Sequence, residues 1–447
     1  MGVNAQPSAV ELPAIDLTVD VFITAWNEDF DLIVGCLAAA CSMKGDFQVW
    51  LLDDGDDPDL AKIAKKFGAG YLNRVGNADA KAGNMNAALP LTKGDIIVIF
   101  DVDHLPEASF LEKTLPYFAD QSVGFVQAIP TFYNNYDFGW VSRAAAETTF
   151  DFYTSTSRGM DGFNSVTKIG TNSLIRREAL LQIGNYKPGL AEDLATSIEL
   201  HAAGWTSRYV HEPLAPGLAP RDLTAWYIQQ FKWARGVFEV LISKYPRLFF
   251  ELNFKQRIVY AVRTTKYLLG TVIGIHIALL ISILLGADYQ TKMLFQTYFL
   301  YLAPLAVTDV LIRGAALNKW GGLLQTSKSL WRATILVFNT WPIYMLALGM
   351  SLFRLPLDFQ PTPKSSSNQL HPKWVLVQLG TAILLVLGLL YNLISTDKNF
   401  DFLILYSVTL LFSIPQLGLI RPLARPYFFA TETMIDHESI LRSSLGD

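Results

Sequence analysis

Apolar residues follow two patterns along this chain, and the change between them lies near residue 265. Before it, short apolar runs alternate with stretches whose apolar positions recur every three or four residues. Residues 19–24, 48–52, 95–100 and 124–129 read as strands, and 28–43, 58–67 and 81–89 carry the helical period between them. Such alternation predicts a mostly parallel sheet covered by helices, with ligands at the carboxyl ends of the strands.

After residue 265 the apolar blocks become long enough to cross the ~30 Å hydrocarbon core of a bilayer. Four are clear: 267–286, 295–312, 374–394 and 402–420. A fifth, 331–353, carries Asn339 and Pro342 centrally, with Arg332 and Arg354 at its edges. Basic residues decide its placement. With this block in the interface, the outer loops hold only Lys292 and Lys398. Arg313, Lys319, Lys328, Arg332, Arg354, Lys364, Lys373, Arg421, Arg425 and Arg442 then fall inside, and the last six would move outside if the block spanned. The positive-inside bias therefore predicts four spans plus one interfacial helix; five plain spans are the alternative. The preferred topology keeps 354–373 on the side of the N-terminal half.

Composition agrees with this division. Of the 447 residues, 51% are hydrophobic, too apolar for an ordinary soluble enzyme. A net charge of −4 gives no basic excess, so no nucleic-acid partner is expected. Cys36 and Cys41 sit close together in a predicted helix, which favours reduced thiols in a cytosolic setting. The N-terminus lacks the basic and apolar regions of a signal peptide, and Gln6 does not suit a myristoylation signal.

The candidate chemistry is carboxylate chemistry. The strand at 48–52 runs into Asp53-Asp54-Gly55, and the strand at 95–100 into Asp101-Val102-Asp103. Acidic clusters on neighbouring strand ends are costly unless a cation joins them, and a hard divalent ion bridging to diphosphate oxygens removes that cost. A lone D-x-D is commonly a solvated loop; two clusters after two strands argue for a site. Between them lies Lys81-Ala82-Gly83-Asn84-Met85-Asn86, where small residues at a helix start would let backbone approach an anion and Lys81 adds charge. Among the six histidines, His104 is the one placed to neighbour a metal. His276, inside a span, would pair with a neighbouring helix or face a polar channel.

The ordered set ITAWNED, LLDDGDD, KAGNMNAAL, FDVDH, GTNSLIRRE, AEDLATSIELHAAGW and QQFKW resembles family 2 glycosyltransferases of the cellulose synthase type, over about 19–368. The resemblance implies an α/β GT-A catalytic domain with a Rossmann-like mixed sheet, followed by an all-α transmembrane region with interfacial helices. Its divisions would be a cytosolic GT-A domain at 1–220, interfacial helices carrying QQFKW at 221–265, a transmembrane region at 266–421 and a cytosolic tail at 422–447. The catalytic domain would face the cytoplasm beneath a plasma or inner membrane.

By the same resemblance, the nucleotide sugar would meet Thr24, Glu28, Asp53, Asp54, Lys81 and Asp101, with Asp53 and Asp54 on the uridine and Lys81 on the diphosphate. Asp103 would hold Mg²⁺ or Mn²⁺. Asp193 would be the general base beside Glu192, and Gln229 and Trp233 would position the acceptor. FQPTPK, at 359–364, is similar to a gating loop that closes over the nucleotide, which adds Thr362 and Lys364. The sequence departs from the family at Ala191, where Thr is usual, at Pro361, where Val is usual, and at Lys232, where an Arg stands. An ammonium there cannot reproduce a guanidinium fork on the diphosphate. Trp205, Trp226, Tyr227 and Phe231 are expected to pack, and Trp233 to stack on sugar.

The implied activity is inverting transfer of a hexose from a UDP-sugar, with UDP-glucose the default donor, to a growing β-linked glycan. Coupling to translocation and accessory export proteins belong to the same implication. The alternative is a non-processive transferase acting on a lipid or short oligosaccharide.

Overall fold

The computed structural model describes residues 16–133, 139–285, 289–320, 330–356, 375–395 and 402–418. Seven strands form a mixed sheet in the order β3-β2-β1-β4-β7-β5-β8. They are β1 (Val19–Ala25), β2 (Gln48–Asp53), β3 (Gly70–Asn73), β4 (Ile96–Asp101), β5 (Val123–Ala128), β7 (Ser173–Arg176) and β8 (Thr206–Val210). The two-residue strands β6 (Thr131–Phe132) and β9 (Pro216–Gly217) pair beside it. Helices α1 (Phe30–Cys41), α2 (Pro58–Lys66) and α3 (Ala80–Ala88) connect the first four strands.

Every residue of β1 is buried, because the strand lies between β2 and β4 with helices on both faces. Val21, Ile23, Val98 and Phe100 pack under α1 on one face, and Phe22, Leu52, Ile97 and Ile99 meet Met85 of α3 on the other. Each such side chain contributes roughly 1.5–3 kcal/mol on leaving water. The buried Asp20 is fully engaged: it accepts from Trp50 Nε1 at 2.8 Å and from Arg177 Nη2 at 2.9 Å.

All four predicted strands and three predicted helices are present. The sheet is mixed because β7 runs antiparallel to both β4 and β5. The register aligns Ala25 with Asp53 and Thr24 with Asp101, which brings the carboxyl ends of β1, β2 and β4 to one rim.

Beyond the sheet the chain is helical. The Leu223–Glu239 helix packs along the Trp341–Leu352 helix, joined by Trp226 Nε1 to Thr340 Oγ1 at 3.0 Å and Arg235 Nη1 to Ser351 Oγ at 3.0 Å. A helical run of 31 residues, Phe254–Leu284, and a second segment, Leu300–Lys319, are long and apolar enough to cross a membrane. A 3-10 turn at Lys266–Leu268 carries the first run through the point where the sequence suggested a boundary. Gly270 and Gly274 face Tyr344, Trp341 and Met345, where any added Cβ would collide, so the two helices approach closely.

The ambiguous block at 331–353 is two helices, Trp331–Phe338 and Trp341–Leu352, bent by 43°. Asn339 sits at the break and donates to Pro415 O at 2.6 Å, which satisfies the interruption across helices. The remaining apolar blocks form the Leu376–Ser395 and Phe402–Leu417 helices. His276 bonds to Val272 O of its own helix at 2.6 Å and stacks on Phe412, the helix-pairing alternative.

Candidate active site

A cavity of about 850 Å³ opens at the strand rim and continues between the helices. Its lining includes Thr24, Glu28, Asp54, Lys81, Asp101, Asp103, Glu192, Asp193, Gln229, Lys232 and Trp233. These come from six separate stretches of chain; the sheet order gathers the first four, and two helices bring the others.

At the tip of β2 the two aspartates divide. Asp54 faces the cavity, and Arg74 holds it with two parallel bonds, Nε to Oδ1 at 2.6 Å and Nη2 to Oδ2 at 2.8 Å. The same guanidinium donates to Ala78 O and Ala80 O, so one side chain shapes the 74–80 loop and orients the carboxylate. Asp53, expected on the uridine, is instead fully buried and absent from the lining. Its carboxylate accepts from Gly55 N at 2.7 Å, Asp57 N at 2.8 Å and Tyr71 Oη at 2.8 Å, so it closes the turn that presents Asp54.

The α3 segment also differs in detail from the expectation. Gly83 turns away from the cavity, toward Ala78 O and Arg74, where an added Cβ would clash. The small residue serves loop packing, not anion approach. Lys81 does face the cavity, pairs with Asp101 and donates to Gly170 O at 2.8 Å. Burial opposes its charge, but Asp101 and Glu192 outweigh that and raise its pKa.

Past the tip of β4, Asp101, Asp103 and His104 bring their ligand atoms within 4.8 Å of one another. Asp103 is 3% exposed, and His104 Nδ1 lies 3.2 Å from its Oδ1. Gly217 leaves the space that the imidazole occupies. The two carboxylates supply the oxygen ligands that hard ions such as Mg²⁺ or Mn²⁺ take. The residues present therefore fit the implied divalent ion.

Across the cavity, Glu192 and Asp193 open the Glu192–Ala202 helix, where the macrodipole favours negative charge. Asp193 Oδ1 accepts from Leu194 N at 2.7 Å. Burial raises both carboxyls; mutual repulsion raises Glu192 further, to about 7, while Arg263 opposes the rise at Asp193. Both shifts run toward the range where a carboxylate accepts a proton at neutral pH. The Leu223–Glu239 helix comes alongside through Gly236, whose Cβ would lie 2.6 Å from Ala191 N. That contact sets Gln229, Lys232 and Trp233 on the same wall. Trp226 and Tyr227 are buried, in the packing role expected of them. Thr362 and Lys364 lie outside the described residues.

Three features of the site escaped sequence reading. Arg74 had no motif around it. Lys168 is fully buried within electrostatic reach of Asp193, donating to Ser173 Oγ at 2.6 Å and lying 5.7 Å from the rings of Phe125 and Tyr186. Burial lowers its pKa to about 7. Glu147, also in the lining, is 3% exposed and bound to Arg332 Nη1 at 2.8 Å.

A family model described as glycosyltransferase-like family 2 matches residues 16–236, and one described as cellulose synthase matches 181–341. A cellulose synthase catalytic subunit (UDP-forming) of Pseudomonas fluorescens is 34% identical over 264 residues, covering 57% of this chain and 35% of that protein. Cellulose synthase 2 of Novacetimonas hansenii is 32% identical over 258 residues, 56% of this chain and 16% of that one. The chain thus spans about a third or less of the length of these relatives. Among solved structures, a mannosyltransferase of Pyrobaculum calidifontis with GDP-Man and Mn²⁺ aligns at a TM-score of 0.47 with 17% identity, covering 76% of this chain and 88% of that one. Two family models that together run from residue 16 to 341, over a mixed sheet with acidic clusters at its rim, make this chain a member of the family 2 glycosyltransferases, of the cellulose synthase-like type.

Proposed function

We propose that the chain is a membrane-embedded, inverting glycosyltransferase that transfers a hexose from a UDP-sugar, with glucose the leading donor, to the hydroxyl of a β-linked glycan. The single observation that carries this reading is the shared cavity: Asp54, Lys81, Asp101, Asp103, Asp193 and Lys232 all face it. Asp54, fixed by Arg74, takes the nucleoside end of the donor, and Lys81 and Lys232 lie toward its diphosphate. Asp103, with Asp101 and His104, would hold the divalent ion, which supplies neutralising charge at the leaving diphosphate.

Asp193 takes the proton of the acceptor hydroxyl as its oxygen bonds to the anomeric carbon. The bond from that carbon to the diphosphate breaks on the opposite face, so an α-linked donor yields a β product. Gln229 and Trp233 offer a hydrogen bond and a ring face to the acceptor sugar. In this reading 1–220 is the cytosolic catalytic domain, 221–265 its interfacial helices and 266–421 the membrane region. Thr362 and Lys364 close over the nucleotide, and export partners assist a polymer product.

A second reading, single addition to a lipid or short oligosaccharide, is favoured by one observation. The cavity does not stop at the sugar-binding wall but continues to Ile273, Val337 and Phe338 among the apolar helices. A panel of labelled UDP-sugars, with Mg²⁺, Mn²⁺ or chelator, followed by linkage analysis, tests both. A single-addition lipid product rules out the polymer reading. Transfer that survives chelation, or that survives Asp193→Asn, overturns the mechanism.

A further inference from the structure

The helical end of the cavity holds three cations that the transfer chemistry does not use. Arg263 and Lys266 come from the Phe254–Leu284 run, and Arg313 from the Tyr289–Trp320 helix; all three line the cavity. Arg313 is balanced by Asp151 at 3.0 Å and Asp309 at 2.8 Å. Arg263 and Lys266 are not balanced in that way: among the described residues neither has a carboxylate within 4.0 Å. They lie over the ring of Phe152, at 4.7 and 5.4 Å from its centre, with Tyr267 bonded to Arg263 and the more distant Asp151 acting on Lys266. Arg263 Nε is buried with no hydrogen-bond partner among the described residues. Next to them the wall is apolar: Ile273, Ala333, Val337 and Phe338.

Ring faces offset only part of what two cations lose beside an apolar wall. A neutral glucan supplies no opposite charge for them. A small free anion would leave the apolar continuation of the cavity unfilled. The molecule that suits both is one with an anionic head and an apolar tail. Arg263 and Asp193 line the same cavity, and the charge of Arg263 is felt at the Asp193 carboxyl.

We infer that this end of the cavity binds the phosphate-bearing head of an amphiphilic acceptor, its tail against the helices and its free hydroxyl directed at Asp193. The inference rests on the glycosyltransferase reading and names the acceptor class for the same site. The step is balanced: the acceptor O–H proton passes to Asp193, its oxygen bonds to the anomeric carbon, and UDP departs with the electron pair. The phosphate itself is unchanged. A lipid-linked sugar diphosphate and a glycerophospholipid headgroup share this chemistry.

The test uses the full chain in phosphatidylcholine nanodiscs with the labelled UDP-sugar that the donor panel identifies. Three acceptors are supplied in turn: a polyprenyl diphosphate-linked monosaccharide, phosphatidylglycerol and a neutral cello-oligosaccharide. Label should enter one of the two phosphate lipids, and which one identifies the source. Arg263→Gln and Lys266→Gln should each raise the KM for that lipid by about tenfold, more than the KM for the donor, a loss of about 1.4 kcal/mol in acceptor binding. Arg263→Lys should recover most of the loss, which separates a charge role from a packing one. Label confined to the cello-oligosaccharide, or acceptor KM values unmoved by both Gln variants, would overturn the inference. UDP release with none of the three acceptors labelled also overturns it yet leaves the transferase standing. Failure to bind or turn over any UDP-sugar would remove the underlying reading as well.

Discussion

The two ends of the cavity are built on opposite principles. At the strand rim, charges find partners within the protein: Asp54 with Arg74, Lys81 with Asp101, and Asp53 with two amides of its own turn and the Tyr71 hydroxyl of β3. At the helical end, Arg263 and Lys266 rest on an aromatic ring beside apolar walls. A rim whose groups are already paired is preorganised, so it holds a donor without rearranging. An end where two cations have no carboxylate within contact distance among the described residues is completed by what binds there. Asp193 stands between the two, within the influence of Lys81 from one side and Arg263 from the other.

The largest expected effect breaks the junction itself. Asp193→Asn keeps the shape of the side chain and removes the proton acceptor, so kcat should fall by ~10²–10⁴-fold. Single-turnover transfer measures it, and a loss below tenfold would assign the base elsewhere. The next change breaks only the rim. Arg74→Ala leaves the buried Asp54 carboxylate without its fork and should destabilise the catalytic domain by about 3 kcal/mol. A thermal melt with and without UDP reads both parts: the melting temperature drops, and stabilisation by UDP shrinks with it.

These ends were not equally legible in the sequence. Asp54, Asp101 and Asp103 follow apolar strands directly, so pattern alone placed them on one rim. The partner choices were hidden, because Arg74 reaches Asp54 only after β3 pairs with β2, and β3 is a four-residue, half-buried strand with no alternation to mark it. Strands β7 and β8 hid for a related reason. Arg176 cuts the apolar run of β7 short and Arg208 interrupts that of β8; each is bonded within the domain, Arg176 to Val123 O and Arg208 to Asp161. At the helical end, Asp151, Arg263, Lys266 and Arg313 are spread over 163 positions of sequence, inside or beside apolar blocks, and only packing makes them neighbours. The family resemblance supplied Glu192 and Asp193; a first-turn acid pair alone would have read as a helix start.

A smaller effect tests how the helical end is fastened to the catalytic domain. Glu147 lies on the Trp140–Thr148 helix and Arg332 on the Trp331–Phe338 helix, 185 residues apart in sequence and bonded at 2.8 Å. Arg143 remains 4.0 Å from the same carboxylate. Arg332→Gln should therefore cost about 2 kcal/mol, less than a fully stranded charge would. Proteolysis of the variant in nanodiscs should show earlier cleavage near 330 than in the native chain. An unchanged melting temperature and cleavage pattern would mean that apolar packing alone joins the two parts.

The smallest effect sharpens the comparison most, because it concerns a charge that belongs to neither end. Lys168 is sealed within electrostatic reach of Asp193, and burial holds its pKa near 7, against an ordinary lysine value of 10.5. The acid limb of transfer should follow the Glu192–Asp193 pair, with the rate falling as pH drops through the raised carboxyl range, about 7 for Glu192. Lys168 lowers the Asp193 pKa. Lys168→Met removes that influence, so the limb should move to higher pH by a fraction of a unit. Stability gives an independent sign. A depressed lysine pKa means stability present above about 10.5 is lost as pH falls toward 7. Methionine has no such loss, so its melting temperature should gain on the native chain as pH falls through that window, offset by about 1 kcal/mol for the Ser173 hydroxyl left without its donor. A limb that stayed in place would show that Lys168 is uncoupled from Asp193, and a stability gap flat between pH 10 and 7 would show that the lysine ammonium is not penalised by burial.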